Sequence, residues 1–437
     1  MPAPRVYARE EHPISRRQIS PNALRVLYRL RDAGHSACLV GGAVRDLLIG
    51  LEPKDFDVAT DATPEQVRQL FRNCRLIGRR FRLAHVMFGR EIIEVATFRA
   101  GGEDDSETSH TDDEGRILRD NVYGTIEQDA VRRDFTANAL YYAIEDFSVR
   151  DFVGGFADTQ ARVLRLIGDP ELRYREDPVR MLRAVRLAAK LDFTIEPATA
   201  APIPELAVLL ESASNARLFD ECGKLFMAGH AEASFLGLER HGLLAVLFPE
   251  LARALRRDNS GGCRRLIIEA LRSTDARVRE EQPVTFAFLL AAMLWPAYAD
   301  GVHALLGQGH PMTVAEQRSA DRVVVHQCKR VAIPRRVSLV IEELWFLQSR
   351  LATRQRRRVM RILAHPRFRA AYDFLLLRAA AAPELQPEVA FWTAMQADGS
   401  AREAALEDAH RETAEEAEPG RNRRRRRRRK PKAQSES

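Results

Sequence analysis

The tightest constraint on this chain is the run Leu39-Val40-Gly41-Gly42-Ala43-Val44-Arg45-Asp46. Ala37 to Val40 reads as a short apolar strand, Gly41-Gly42 ends it, and a helix follows from Ala43 to Leu48 until Gly50 closes it. Glycines there let backbone N–H groups approach a polyphosphate, the helix start adds favourable partial charge, and Arg45 in the first turn can reach a phosphate oxygen. Neither GxGxxG nor GxxxxGK[ST] is present, so this is not a dinucleotide fingerprint or a P-loop. Alone, the run could equally be a tight strand-to-helix turn with a surface arginine.

Chemistry enters with Asp55-Phe56-Asp57-Val58-Ala59, read as the next strand. Asp55 and Asp57 are two apart, so on a strand both carboxylates leave one face, where mutual repulsion favours a divalent cation. An isolated DxD is weak evidence; its neighbours strengthen it. A third acid is needed to hold two metals. Glu94, inside the apolar strand Glu91 to Phe98, is one candidate, because a carboxylate there wants a partner. Asp134, in Arg132-Arg133-Asp134-Phe135-Thr136-Ala137-Asn138, is the other. There the arginines could pair with Asp134, while at least one of Arg132 and Arg133 reaches the triphosphate. The residues leave the choice between Glu94 and Asp134 open.

Arg175-Glu176-Asp177-Pro178-Val179-Arg180-Met181-Leu182-Arg183-Ala184-Val185-Arg186 opens a helix, with Asp177 as N-cap and Pro178 as its first residue. Arg180, Arg183 and Arg186 trace a stripe along one side while Met181, Leu182 and Val185 pack. The stripe is either a solvated basic face or a nucleotide reader in which Asp177 and Arg180 meet a base edge and the later arginines steady phosphates.

At 437 residues, with 45% apolar and 30% charged residues, the chain can bury a large core and holds two or three domains at about 150 residues each. Residues 22–165 mix helices and strands, residues 171–383 are almost entirely helical in pattern, and the remainder beyond about 400 is charged and low in complexity. No apolar run reaches about 18 residues; the nearest, Phe286 to Ala299, carries Pro296. Five scattered cysteines fit a reducing compartment, so the expectation is a soluble cytosolic protein with no membrane span. The net charge is +7, yet ten basic residues lie between Arg421 and Lys432, including Arg423, Arg424, Arg425, Arg426, Arg427, Arg428 and Arg429. Removing those ten from the 68 basic residues leaves 58 against 61 acids, a body near −3. The tail is expected to be disordered and to touch nucleic-acid phosphates, the alternative being a solvated tail that aids solubility or a localisation signal. Arg354 to Arg361 and Lys329 to Arg336 are further candidate phosphate contacts.

In order, GGAVRD, DFD, EVATFR, RRDFTANAL and REDPVRMLRAVR resemble the class II nucleotidyltransferases that extend RNA 3′ ends, the bacterial poly(A) polymerases and the tRNA CCA-adding enzymes. The resemblance runs from about His12 to Pro249 and more loosely beyond. Ile14-Ser15-Arg16, the segment Leu76 to Val86, Arg217-Leu218-Phe219-Asp220-Glu221 and the basic C-terminal extension look like the poly(A) polymerase branch. The acidic stretch Glu103 to Gly115 matches nothing in the family pattern.

The resemblance implies an α+β fold, with a nucleotidyltransferase head holding a small mixed sheet followed by an all-helical neck and body. The corresponding division is a flexible N-terminus over 1–20, head 21–165, neck 166–250, body 251–400 and arginine-rich tail 401–437. It implies template-independent transfer of AMP from ATP to an RNA 3′-hydroxyl, with two Mg²⁺ ions as cofactors and pyrophosphate released. Asp55, Asp57 and Asp134 would be catalytic, with Glu94 kept as a possible metal ligand beside Asp55 and Asp57. Gly41, Gly42, Arg45, Arg132 and Arg133 would bind the triphosphate, and Asp177, Arg180, Arg183 and Arg186 would select the nucleotide. The implied setting is a monomer in a bacterial cytoplasm whose tailing directs RNA to the decay machinery. The rival reading is a CCA- or A-adding tRNA enzyme.

Overall fold

Ala37–Val40, buried at every position, lies in the middle of an eight-stranded sheet. The computed structural model describes residues 4–78, 82–100, 123–397, 402–404 and 406–407. Along the chain the sheet uses β1 (Arg5–Tyr7), β2 (Ala37–Val40), β3 (Asp57–Thr60), β4 (Cys74–Ile77), β5 (Leu83–Phe88), β6 (Glu91–Thr97), β7 (Leu140–Ala143) and β8 (Val149–Asp151), in the order β1-β8-β7-β2-β3-β6-β5-β4. Only β3 and β6 run parallel; the remaining pairs are antiparallel. The sheet is therefore mixed, and larger than the sequence suggests.

Around it stand α1 (Pro21–Asp32), α2 (Gly42–Leu48), α3 (Pro64–Leu70), α4 (Ile126–Arg132), α5 (Gly155–Gln160), α6 (Pro170–Glu176) and α7 (Val179–Leu191). The start of α3 obeys local rules: Thr63 Oγ1 accepts from the Gln66 N–H while Gln66 Oε1 accepts from the Thr63 N–H, with Pro64 at the first position. Alternation along the strands separates two apolar faces. Leu39, Val58, Val95 and Tyr142 join the main core with Val26, Leu27 and Leu30 of α1. Val40, Ala59 and Tyr141 form a smaller cluster on the other face with Phe98 and Ala130.

The N-terminus is not the flexible arm expected for residues 1–20. From Pro4 onward it belongs to the fold: β1 pairs with β8, the Tyr7 ring stacks 3.7 Å from that of Phe156, and Ile14 and Ile19 are buried. The inward residues are few and widely spaced, so no local period announces them. Ser20 then caps α1, accepting from Asn22 and Ala23 N–H at 3.2 and 3.3 Å.

The chain divides into two compact units between Leu210 and Glu211, inside the segment 166–250 expected as one neck. The second unit is helical, including Asn215–Phe226, Gly262–Arg279, Phe286–Gly307, Met312–Cys328, Arg335–Arg350 and Phe368–Ala381. Phe286–Gly307 extends past Pro296 and is long and apolar enough to cross a membrane, against the expectation that no run would be. It is a core helix: Leu289 to Leu294 are buried, Trp345 Nε1 donates to the Ala291 carbonyl at 2.9 Å, and Tyr298 stacks on Trp345 at 4.5 Å. Some arginines proposed for phosphate have partners in this unit. Arg330 pairs with Glu211 at 2.8 Å, Arg335 with Glu342 at 3.6 Å, and Arg354 lies 4.3 Å over the Phe391 ring. The arginine run 423–429, the acidic stretch 103–115 and residues 79–81 lie outside the described residues.

Candidate active site

The antiparallel pairing of β2 with β3 ends at Val40 opposite Asp57, because the chain turns away at Gly41 with φ +76°. That backbone favours glycine. The turn runs beside two guanidinium groups: a Cβ on Gly41 would lie 3.6 Å from Arg133 Nη1, and one on Gly42 3.5 Å from Arg45 Nη2. Gly41, Gly42, Arg45 and Arg133 thus converge. Arg45 is buried, donating to Asp46 Oδ1 through Nε (2.9 Å) and Nη2 (2.6 Å) and to Asn138 Oδ1 through Nη1. Arg133 donates to Asp129 Oδ2 (2.9 Å from Nη2) and to the Tyr141 hydroxyl (3.0 Å from Nε).

The strand begins at Asp57, so Asp55 sits in the preceding loop, not on the strand as expected. With the rungs exhausted at Gly41, nothing holds Asp55 extended, and strict alternation does not apply to it. On its other side Asp57 stands in register with Glu94 of β6. Burial pushes the Asp57 carboxyl up to about 6; the charges of Glu94 and Asp55 add to the push and Arg133 opposes it. All three acids thus share one local field. Their oxygens suit a hard divalent cation, and the penalty on a charged Asp57 is what such a cation relieves. Among the described residues no three acidic, imidazole or thiol groups are already drawn together as a metal cluster. Glu94 instead leans to His85, Oε1 to Nε2 3.3 Å.

Asp134 is placed differently. Its Oδ1 accepts from the Phe135 N–H (2.8 Å) and Asn138 Nδ2 (3.3 Å), and its Oδ2 accepts from Arg183 Nε (2.8 Å) and Nη2. Burial works against its ionisation, but Arg183 and these donors outweigh it and hold the carboxyl below the usual range. The preceding backbone is pinned as well: Arg173 Nη2 donates to the carbonyls of Arg132 (2.8 Å) and Arg133 (2.7 Å).

On α7, Arg180, Arg183 and Arg186 share a half-buried stripe, as their spacing predicts. Arg180 Nη1 donates to Glu176 Oε2 (2.8 Å) and the Arg173 carbonyl (2.7 Å). The expected cap moves by one residue: Pro178, already helical in φ and ψ, holds the N-cap position, and Asp177 terminates α6. The Asp177 carboxylate still accepts from the Val179 N–H at 3.2 Å.

Sequence reasoning passed over Lys190. Its ammonium is held below the ordinary range, first by burial, then by Arg45, Lys54 and Arg186, with Asp46 opposing. Lys190 thus shares one positive field with Arg45, Lys54 and Arg186, and of these Arg45 lies beside the diglycine turn. Asn138, which bridges Arg45 to Asp134, and His85 were also missed. Asn138 lies inside RRDFTANAL and His85 inside the Leu76 to Val86 segment, both part of the family pattern, whereas Lys190 carried no signal separable from ordinary surface polarity.

Three successive parts of the chain match known families: the poly A polymerase head domain over residues 37–165, the probable RNA and SrmB-binding site of polymerase A over 192–255, and the polymerase A arginine-rich C-terminus over 308–430. Poly(A) polymerase I of Salmonella typhi is 51% identical over 398 residues, covering 90% of this chain and 86% of that protein. The chain belongs to the poly(A) polymerase family. It is accordingly a nucleotidyltransferase of that family, and poly(A) polymerase I of Escherichia coli O157:H7 is likewise 51% identical over 397 residues, 90% of this chain and 85% of that one. The CCA-adding enzyme of Lactobacillus helveticus is a more distant relative, 35% identical over 49% of this chain and 51% of its own. The poly(A) polymerase fold seen here is similar to solved tRNA-processing enzymes: a Bacillus stearothermophilus CCA-adding enzyme in complex with CTP (TM-score 0.55, 24% identity, covering 90% of this chain and 93% of that one) and a tRNA-processing enzyme in an apo form (TM-score 0.60, 20% identity, covering 88% and 99%).

Proposed function

We propose that this chain adds AMP from ATP to the 3′-hydroxyl of RNA without a template, releasing pyrophosphate. The observation that carries the reading is the meeting of two opposite charges in one head: Arg45 and Arg133 beside the Gly41-Gly42 turn, and Asp57 where β2 ends at that turn, in register with Glu94 on its other side. A nucleoside triphosphate needs the first, and a hydroxyl that must lose its proton needs the second.

The Gly41-Gly42 turn, Arg45, Arg133 and Lys190 are assigned to the triphosphate, with Arg132 beside them. Asp55 and Asp57 would hold two divalent cations, Mg²⁺ by availability, and Glu94 is the third carboxylate. Cations bound there supply Lewis-acid activation of the hydroxyl and neutralise charge on the departing pyrophosphate. Asp134, its oxygens given to Arg183, Asn138 and Phe135, is a positioning residue that sets α7 against the RRDFTAN segment. On α7, Asp177 and Arg180 are assigned to the base edge, and Arg183 and Arg186 to holding the nucleotide's place. Residues 166–250 and 251–400 would carry RNA, the 423–429 run would add phosphate contacts, and the product would enter RNA decay in a bacterial cytoplasm.

The deciding assay supplies each of the four nucleotides separately with a generic RNA primer. Extension with ATP alone is expected. Addition of two C residues from CTP to a tRNA lacking its CCA end would replace the poly(A) reading with the tRNA one.

A further inference from the structure

We propose that the head holds a second nucleotide-phosphate site on the sheet face opposite Asp57, built from Arg9, Arg16, Arg17, Tyr28 and Phe147. A cavity of about 460 Å³ opens there, lined by these residues with Ser15, Leu24 and Tyr142. The register fixes its side of the sheet. Asp57 pairs with Val40 and Tyr142 with Leu39, and neighbours along a strand point to opposite faces.

Three features point to a ligand of this class. The first is unbalanced charge. Among the described residues, Arg9, Arg16 and Arg17 make no ion pair, whereas Arg45, Arg133, Arg173 and Arg183 each grip a carboxylate. Two of the nearby acids are turned to other work: Glu11 accepts from the Ala8 N–H (2.7 Å), and Asp146 from the Ser148 N–H (3.1 Å) and hydroxyl (2.7 Å). Three guanidinium groups round one concavity suit a phosphate, which takes their forked donors.

The second is a built aromatic wall. The Arg16 guanidinium lies 4.6 Å over the Phe147 ring, and its Nη1 donates to the Tyr28 hydroxyl at 2.9 Å. Arg9 Nη1 donates to the His12 carbonyl at 3.1 Å. Two of the three cations are therefore held in place, and guanidinium planes and aromatic rings are surfaces on which bases stack. The volume lies in the range of small-ligand sites.

The third is backbone strain. Phe147 has φ +59°, a conformation that bulky side chains rarely adopt. Asparagine or glycine would occupy this hairpin turn with less strain; the Phe147 ring instead packs against the main core on one side and under Arg16 at the cavity. The turn is locked by the Asp146–Ser148 bonds and by His12 Nε2 meeting the Phe147 carbonyl at 3.0 Å.

Phosphate plus a stackable base is the chemistry of an RNA strand and equally of a free nucleotide. Binding of a 15-nucleotide oligoadenylate and of AMP to the full chain, with metal chelated so that no transfer occurs, separates them. Arg16→Ala/Arg17→Ala should weaken the oligomer about tenfold at low salt and reduce the slope of log K against log salt by about 1.4, near 0.7 for each phosphate left without its arginine. Arg16→Lys should keep the slope but not the full affinity, and Phe147→Asn should lose affinity without losing slope. If AMP also loses a binding event in the double variant, the pocket takes a free nucleotide; if only the oligomer weakens, it takes the strand. Unchanged oligomer affinity and slope in the folded double variant, with unchanged AMP binding, overturns the site. The measurement reads no catalysis, so its failure leaves the transferase reading untouched.

Discussion

Arg183 donates through Nε to Asp134 Oδ2 at 2.8 Å, tying α7 to the segment that precedes β7. Asp134 is tied in turn to Asn138, Asn138 to Arg45, and Arg45 to Asp46. One line of polar side chains thus runs from α7 to the diglycine turn, so a substitution at one end is expected to be felt at the other.

Asp134→Ala should therefore cost stability as well as activity. It leaves a half-buried guanidinium without its carboxylate, a loss of about 2–4 kcal/mol. Urea denaturation of Asp134→Ala, Arg183→Ala and the double variant should show coupling above about 1 kcal/mol. Additive effects would show the pair to be incidental. Because the folded carboxyl lies below its ordinary value, its contribution is complete above the unfolded pKa of about 3.9 and is lost as pH falls through the lower folded value.

Asp57 behaves in the opposite sense. A carboxyl raised to about 6 makes the fold lose stability as pH climbs from about 3.9 through 6, and above 6 the full penalty stands. Asp57→Asn should thus stabilise the metal-free protein above pH 6, by about 2 kcal/mol, with no gain near pH 4. The same variant should abolish AMP incorporation. Thermal melts in a chelator at pH 4 and 8, beside a primer-extension assay, test both.

Lys190→Met should raise the KM for ATP about tenfold while leaving kcat within a few-fold, as expected for removing one charge from a triphosphate seat. Steady-state kinetics with ATP varied at saturating primer checks it. An unchanged KM would place Lys190 outside the seat.

Gly155→Ala should fail in a way ordinary helix substitutions do not. A Cβ there would fall 2.0 Å from the Thr136 carbonyl oxygen, so α5 must back away from the RRDFTAN segment. A loss of about 2 kcal/mol or more in urea denaturation, with reduced extension, is expected, whereas Gly223→Ala, with open space around it, should be tolerated.

Much of the head was legible in the sequence, because short-range rules govern it. A diglycine between an apolar strand and a helix and the arginine period on α7 depend on residues a few positions apart. So does the ordered set of motifs that marks the family. The segments that failed obey partners distant in sequence. Asp55 leaves the strand because its neighbour β2 runs out at Gly41, and residues 4–20 join the fold because β8 and Phe156 receive them.

The assignment of the acids belongs wholly to tertiary structure. Glu94 and Asp134 were equal candidates as letters in a chain. Folding sets Glu94 opposite Asp57 and gives Asp134 to Arg183, because a carboxylate's role follows from which charges stand within a few ångströms of it. Local pattern determined that this protein would carry a turn, two aspartates and a basic helix; only long-range packing decided which charges meet.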